Sequence, residues 1–494
     1  MHSIAGTTEH AGHASRNGDR GVALQLAAIA GLLLVIYAGF CLFVPLTPGR
    51  LERASASLIT ELPLWRSVSA LRLPLLHDVG AFAPVFLFSL AVVPLLYGLA
   101  IALSWGRSPG RATVTTVLAG AAAFFAVSLL ALPNQTTDIY NYISRARVAA
   151  VHDSNPHYVP ASRFPEDPLY AYASPRIARI TGDKLALWTL ISTGTAKLAG
   201  HGALANLFAM RLLFFACNLA NLALIALVLH KLVPRHVLAG IILYGWNPVV
   251  AVLGQSKTDT VMMTFMLLAV LLLILDRRRW AIVSMGLSVL IKFMTLPIIA
   301  VYWLRDLRLK RWRELAVNAV ILCLLVVALY APYWEGPQLI VSHMKVVFGE
   351  AGASAGGMRS ILIAGFLLLV AAVGLTRDTT HASLISGWAW VMLFVAVFLA
   401  RTSNSWYLIT AIGMASLCSS PGVALLAVIA SCAAFAFSMW YTTSTGVFPL
   451  PDVFSASRRM VFLAPIALGA IGIAAAALLA RRRHASAQSA LKGR

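Results

Sequence analysis

A chain of 494 residues that is 60% hydrophobic and 12% charged, with a mean hydropathy of +0.81, is not a soluble domain, since soluble domains carry about a quarter charged residues. Its net charge of +21 does not point to nucleic acid: the 39 Lys and Arg fall mostly in short clusters between apolar runs, the pattern of basic loops on the cytoplasmic side of a membrane. The five cysteines (Cys41, Cys217, Cys323, Cys418 and Cys432) lie inside apolar runs without paired spacing, which argues against a disulfide framework or a zinc site.

In chain order, residues 1–20 read as a disordered cytoplasmic tail. The apolar run 22–44 follows without a cleavable leader and is expected as a retained first helix. Runs 80–104, 112–132, 206–229, 237–254, 258–275, 314–334, 358–375, 384–400, 405–418, 422–441 and 460–480 bring the count to about 12 spans, at roughly 20 residues per crossing. The fold class is therefore all-α: a polytopic membrane protein whose single transmembrane domain covers 21–480, followed by a basic cytoplasmic tail at 481–494.

Two apolar stretches, 185–200 and 280–304, spoil the charge rule if each is counted as a full crossing. The second is interrupted by "LIKFMTLP", where Lys292 and Pro297 break a helical run too short for two crossings. A half-depth hairpin is expected there, because irregular backbone at membrane depth is tolerated only where it lines a cavity. With both stretches entering and leaving on one side, the basic clusters at 16–20, 107–111, 231–235, 277–279, 305–313, 377 and 481–483 all face the cytoplasm, and so do both termini. The segments 45–79, 133–184, 335–357 and 442–459 then face outward, although Arg50, Arg53, Arg66 and Arg72 in the first of them run against the rule.

The outer loop 133–184 carries the chemistry. In its first third Asp138, Tyr142 and Arg145 share one helical face and Ile139, Ile143 and Ala146 another, as an amphipathic interfacial helix requires. Asp138 fits an N-terminal cap, and equally a general base at the lipid interface. Arg145 and Arg147 suit phosphate oxygens, or phospholipid headgroups. Lys292, at membrane depth, is a functional-site candidate unless it snorkels to the surface. Asp259 fits a helix cap, a second acceptor-binding carboxylate or a metal ligand, and Arg359 and Arg401 stand at outer span ends as phosphate contacts or interfacial anchors. Trp406 and Tyr407 fit sugar stacking or an aromatic belt. His152, Asp153 and His157 match no standard metal spacing, so no metal ligands are assigned.

The run "DIYNYISRARVAAVHDSNPHYVPASRFPEDP" resembles the first outer loop of the GT-C superfamily of membrane glycosyltransferases, especially the bacterial polyprenyl-phosphate-mannose-dependent mannosyltransferases. The matching positions are Asp138, Tyr140, Tyr142, Asn155, Pro156, Tyr158, Asp167 and Pro168, with His157 inserted between proline and aromatic. "LYGWNPVVAVLGQSKTDTVMM" resembles the family's Asn-Pro span ending in an acidic loop, with Asp259 as the acid and Ser256, Lys257 and Thr258 where the family usually has Gly-His-Asn. "SNSWYLI" resembles its Trp-Tyr motif at Trp406 and Tyr407.

The resemblance implies an inverting transferase at the outer face of a bacterial inner membrane. It would move a sugar, mannose in the nearest branch, from a polyprenyl-phosphate donor to a glycan or glycolipid, with Asp138 as the base. Cations near the leaving lipid phosphate would stabilise its charge, with Lys292 the first candidate and Arg145, Arg147, Arg359 and Arg401 beside it, and Tyr140, Tyr142, Asn155, Tyr158, Asp259, Trp406 and Tyr407 are placed at the substrates. Some relatives use a divalent cation (Mg or Mn) and others none. A lipid-linked-saccharide flippase or secondary transporter is the alternative from composition, but it calls for paired charges in the middle of several spans, whereas the carboxylates here sit almost entirely at span ends.

Overall fold

The structure is a computed structural model, and it describes residues 5–44, 66–67, 78–131, 138–181, 184–348, 357–376, 378–399 and 404–444. Described residues are helical or in short connections. Seven helices are long and apolar enough to cross a membrane, or eight counting one bent pair as a single span. Three of the expected crossings are shorter apolar helices, Thr258–Ile274, Ser360–Gly374 and Ser405–Ala415. The expected span 460–480, the tail 481–494 and most of 45–79 lie outside the described residues.

Helix α1 (Ala5–Ala38) begins well inside the stretch expected as a disordered tail. Asp19 explains why its polar end is anchored: its carboxylate accepts from the Ala112 amide at 3.1 Å and the Thr113 hydroxyl at 2.8 Å, two groups in the first turn of α3. Helix α1 packs on α2 (Val79–Ser104) and α3 (Arg111–Leu130). The outer loop supplies α4 (Asp138–Ala150) and leads to α5 (Ala186–Ala199) and α6 (Ala203–Leu232).

Helix α7 (Val237–Gly245) ends where Asn247 and Pro248 interrupt it, and the chain resumes at an angle of 46°. Proline removes an amide, and orphaned backbone groups away from water must find partners. Two tyrosine hydroxyls supply them: Tyr97 donates to Leu243 O at 2.7 Å and Tyr37 to Trp246 O at 2.8 Å. Gly245 permits the crowding here, since a Cβ at that position would lie 2.8 Å from Ala121 Cβ and from a Leu222 methyl. Asn247 then donates to Tyr97 Oη and Ser431 Oγ, both at 2.9 Å.

The interrupted stretch 280–304 is a pair of short helices, α9 (Arg278–Val289) and α10 (Leu296–Arg308), joined through Lys292 and a 3-10 turn. At 1.5 Å per residue each is about 18–20 Å long, short of a hydrocarbon core of roughly 30 Å. Arg278 at the start of one and Arg305 and Asp306 at the end of the other line a common small cavity. The pair therefore folds back on itself, with Lys292 at its tip and the basic cluster at its base. Helix α8 (Thr258–Ile274) lies against α9, and Ser284 and Ser288 of α9 donate to Phe265 O and Met262 O of α8 at 2.7 and 2.9 Å. Six further helices complete the described chain: α11 (Trp312–Tyr330), α12 (Gln338–Phe348), α13 (Gly357–Gly374), α14 (His381–Phe394), α15 (Leu408–Ala415) and α16 (Pro421–Ser444).

Candidate active site

Helix α4 is not the surface-lying amphipathic helix that its spacing suggests. Ile139 to Ser144 and Ala146 to Val148 are buried, because α5 and α6 and the rest of the loop close over it. Ile139, Tyr142 and Ile143 pack in one apolar cluster with Trp188, Phe214, Met262 and Ile291. This burial holds Asp138, the first residue of α4, against the polar turn that opens α8.

Two ion pairs meet there. Lys257 Nζ lies 2.7 Å from Asp138 Oδ2, and Lys292 Nζ lies 2.9 and 3.0 Å from the two oxygens of Asp259. The Lys257 and Asp259 side chains are about 1% exposed, whereas those of Asp138 and Lys292 are 31% and 28% exposed. Both lysines occupy single extended residues between helical segments, at φ −130° for Lys257 and φ −160° for Lys292. The two breaks thus turn two cations into the same space.

Aromatic rings complete the enclosure. Lys257 Nζ is 3.5 Å from the ring centroid of Trp406, and Lys292 Nζ is 4.1 Å from that of Tyr407, within the range of a cation–π contact. Lys184 lies over Tyr142 at 5.4 Å. Burial alone would raise the Asp138 carboxyl, but Lys257, with Lys184 and Lys292 beyond it, holds it below the ordinary carboxylate range. Lys184 is brought down to about 8 by burial and by neighbouring Arg145, against the opposing pull of Asp138.

Beside this cluster runs an apolar groove of about 880 Å³, lined by α9, α10, α11 and α12. Leu290 and Phe293, on either side of Ile291 and Lys292, form part of its wall, and Tyr330 and His343 form a polar patch in it. Helix α5 ties this end together, with Leu187 N donating to Leu290 O at 3.2 Å. The groove wall therefore includes residues on both sides of Lys292 at the hairpin tip.

The structure gathers Asp138, Tyr142, Asp259, Lys292, Trp406 and Tyr407 from the sequence reading. Arg145 stands behind them and donates to Ile180 O at 2.6 Å. Arg147 is elsewhere: buried, it pairs with Asp167 at 2.9 Å and donates to Gly200 O at 3.1 Å. His152 Nε2 joins the same carboxylate at 3.0 Å, so the expected phosphate ligand Arg147 instead holds the loop in shape. Asn155 and Tyr158, expected at a substrate, clamp the loop to the segment after α11. Asn155 donates to Tyr333 O and Glu335 Oε1, both at 2.8 Å, and Tyr158 donates to Gly336 O at 2.9 Å. Asp153, in the left-handed region at φ 45°, makes the turn that brings them there. Tyr140 stacks on Tyr172 at 5.5 Å. Arg359 lies in the first turn of α13, where its side chain is not described, and Arg401 lies outside the described residues.

Two cluster members escaped the sequence reading. Lys257 entered it only as a departure from a motif, and Lys184 only as the end of a loop. The available signal was a cation two residues from Asp259 in a polar turn between apolar runs. Among the described residues no three of His, Cys, Asp and Glu converge as metal ligands. The two carboxylates each already hold an ammonium, so the donor set as it stands suits lysine rather than a divalent ion.

No family model matches the chain, and no curated protein matches it. One solved structure that is similar is the crystal structure of ArnT from Cupriavidus metallidurans bound to undecaprenyl phosphate. The likeness has 19% identity over 76% of this chain and 73% of that one, with a TM-score of 0.43. A superposition this loose assigns neither activity nor substrate.

Proposed function

We propose that the protein is a membrane glycosyltransferase of GT-C type that takes its sugar from a polyprenyl-phosphate donor. The observation that carries this reading is the juxtaposition of an apolar groove, walled in part by Leu290 and Phe293, with Lys292 between those two residues in the chain and with the paired carboxylates Asp259 and Asp138. A polyprenyl chain needs an apolar channel reached from the bilayer, and its phosphate needs cations where the channel stops. The sugar then projects among Trp406, Tyr407 and Tyr142, and an acceptor hydroxyl approaches from the outer loop.

In the reaction the acceptor oxygen attacks the anomeric carbon as its proton passes to Asp138. The bond from that carbon to the phosphate oxygen breaks, and its electron pair leaves with the polyprenyl phosphate. Lys292 and Lys184 stabilise the charge that grows on that phosphate. Attack opposite the leaving group inverts the anomeric centre. The sequence resemblance favours mannose as the sugar, a glycan or glycolipid as the acceptor, and the outer face of a bacterial inner membrane as the place, with both termini cytoplasmic.

The test is transfer of radiolabelled mannose from polyprenyl-phosphate-mannose to endogenous glycan in membranes carrying wild type or Asp138→Asn at equal protein levels. A general base contributes about 100-fold or more, so transfer should fall by at least that factor. Equal transfer would contradict Asp138 as the base, and none by wild type would contradict the donor.

A further inference from the structure

The resting site holds its base in an unreactive arrangement. Asp138 Oδ2 accepts a hydrogen bond from Lys257 at 2.7 Å, and a carboxylate paired this closely with an ammonium is a weaker proton acceptor than a free one. Lys257 cannot relax into solvent, because it is almost fully buried with its Nζ against the Trp406 ring. The second pair, Lys292 with Asp259, has the same form with the exposure reversed, on the lysine instead of the carboxylate, and Lys292 lies in the chain between Leu290 and Phe293 of the groove wall. Both lysines sense both carboxylates electrostatically. Lys184 and Tyr142 also face Asp138, Tyr407 faces Lys292, and Arg145 lies next to Lys184.

We propose that Lys257 is a positioning residue that locks Asp138, and that the phosphate of a lipid donor entering along the groove is the key that opens it. This rests on the donor reading given above. The phosphate meets Lys292 first, because that side chain is the more exposed of the two lysines and lies in the chain between Leu290 and Phe293, which line the groove. An anion there competes with Asp259 for Lys292 and draws the neighbouring Lys257 ammonium toward itself. The Lys257 Nζ to Asp138 Oδ2 hydrogen bond is exchanged for one to a phosphate oxygen, and Asp138 is left with an oxygen free for the acceptor hydroxyl.

The consequence is an order of events. With no donor bound the base stays paired, so an acceptor arriving alone meets a carboxylate already occupied. With donor bound, the groups that oppose charge on the phosphate and the group that accepts the proton become available together. The neutral surroundings of Trp406 and Tyr142 strengthen both effects, since charges separated from water interact more strongly.

The test reads Asp138 directly. Dicyclohexylcarbodiimide modifies protonated carboxyl groups in apolar surroundings, and peptide mapping separates Asp138 from Asp259. Full-length protein in detergent is labelled across pH 5–8, with and without polyprenyl phosphate, and lipid retention is read on the same samples by native mass spectrometry. Opening the lock by one pKa unit changes the protonated fraction about 10-fold. Labelling of Asp138 at pH 6 should therefore rise about 10-fold when the lipid is bound. Lys257→Met should label at the higher level without lipid and respond little to it. Retained lipid with unchanged wild-type labelling would overturn the lock, whether or not Lys257→Met folds. A sample that retains no lipid would overturn the donor reading beneath it.

Discussion

Lys257 and Asp138 stand 119 positions apart in the chain and 2.7 Å apart in space, and their contact joins the outer loop to the opening turn of α8. Removing one partner of a fully buried pair costs about 3–5 kcal/mol. Asp138 keeps about a third of its surface, so screening brings the expected loss for Lys257→Met to roughly 1–3 kcal/mol. Thermal denaturation in detergent should show a lowered midpoint, and the double variant Lys257→Met/Asp138→Leu should recover most of it. A single variant as stable as wild type would mean that the pair contributes no net stability.

Asn155 binds the outer loop to Tyr333 O and Glu335 across 178 and 180 positions. Each such hydrogen bond contributes about 1 kcal/mol. Asn155→Ala should leave the helices assembled and expose the loop, raising its rate of limited proteolysis roughly 5-fold or more. Unchanged cleavage within 150–175 would show that Tyr158 and the Arg147–Asp167 pair hold the loop without it.

Helix existence was legible in the sequence because long apolar runs have few other solutions, and the hairpin because Lys292 and Pro297 interrupt one. Asp138, Asp259, Lys292 and Trp406, which the structure brings together, stood out in the sequence because they are polar or aromatic groups at the ends of apolar runs. Their pairing did not. Lys257 reaches Asp138, and Lys292 reaches Asp259 across 33 positions, so local spacing carries no trace of either contact. Arg147, Asn155 and Tyr158 look like ligands in a linear motif, yet the structure uses them on Asp167 and on the segment after α11. Helix α4 presents an amphipathic pattern and is nonetheless buried, because polar side chains such as Asn141 and Arg147 find partners inside the loop, as Asn141 Oδ1 does with Ser174 N at 2.8 Å.

Positive charge around Asp138, where the donor phosphate is proposed to sit, should fall as pH rises through the Lys184 transition. Lys184 titrates near 8 when folded and above 10 in a free chain, so between these values the folded protein has lost a proton that the unfolded chain keeps. Affinity for polyprenyl phosphate should drop several-fold between pH 7 and pH 9, and Lys184→Met should flatten that drop. Folding stability should move the other way, because burying a neutral amine costs less than burying a cation and the penalty fades as pH passes 8. Isothermal titration at both pH values checks the first claim, and thermal midpoints in wild type and Lys184→Met check the second.

His157, in the outer loop, lies against Tyr333 just after α11 at 5.0 Å and against His343 of α12 at 5.4 Å. Burial, with His343 and Arg145 alongside, pushes its imidazole down to about 3. The unfolded chain takes up a proton near pH 6.5 that the folded protein refuses. Stability tied to His157 is therefore complete above pH 6.5 and lost as pH falls toward 3. The thermal midpoint of wild type should drop between pH 7 and pH 5 by more than that of His157→Phe, and parallel drops would remove His157 from the account.

The groove between α9, α10, α11 and α12 is where the isoprenoid chain of the proposed phosphate-linked donor would lie. The direct measurement is photocrosslinking with a polyprenyl-phosphate-mannose analogue bearing a benzophenone midway along its lipid, followed by peptide mapping. Adducts are expected on groove residues such as Leu322, Leu325, Val326 and Ile340, competed by unlabelled polyprenyl phosphate and lost in Leu325→Trp. Adducts confined to other helices, or unaffected by competitor, would contradict it.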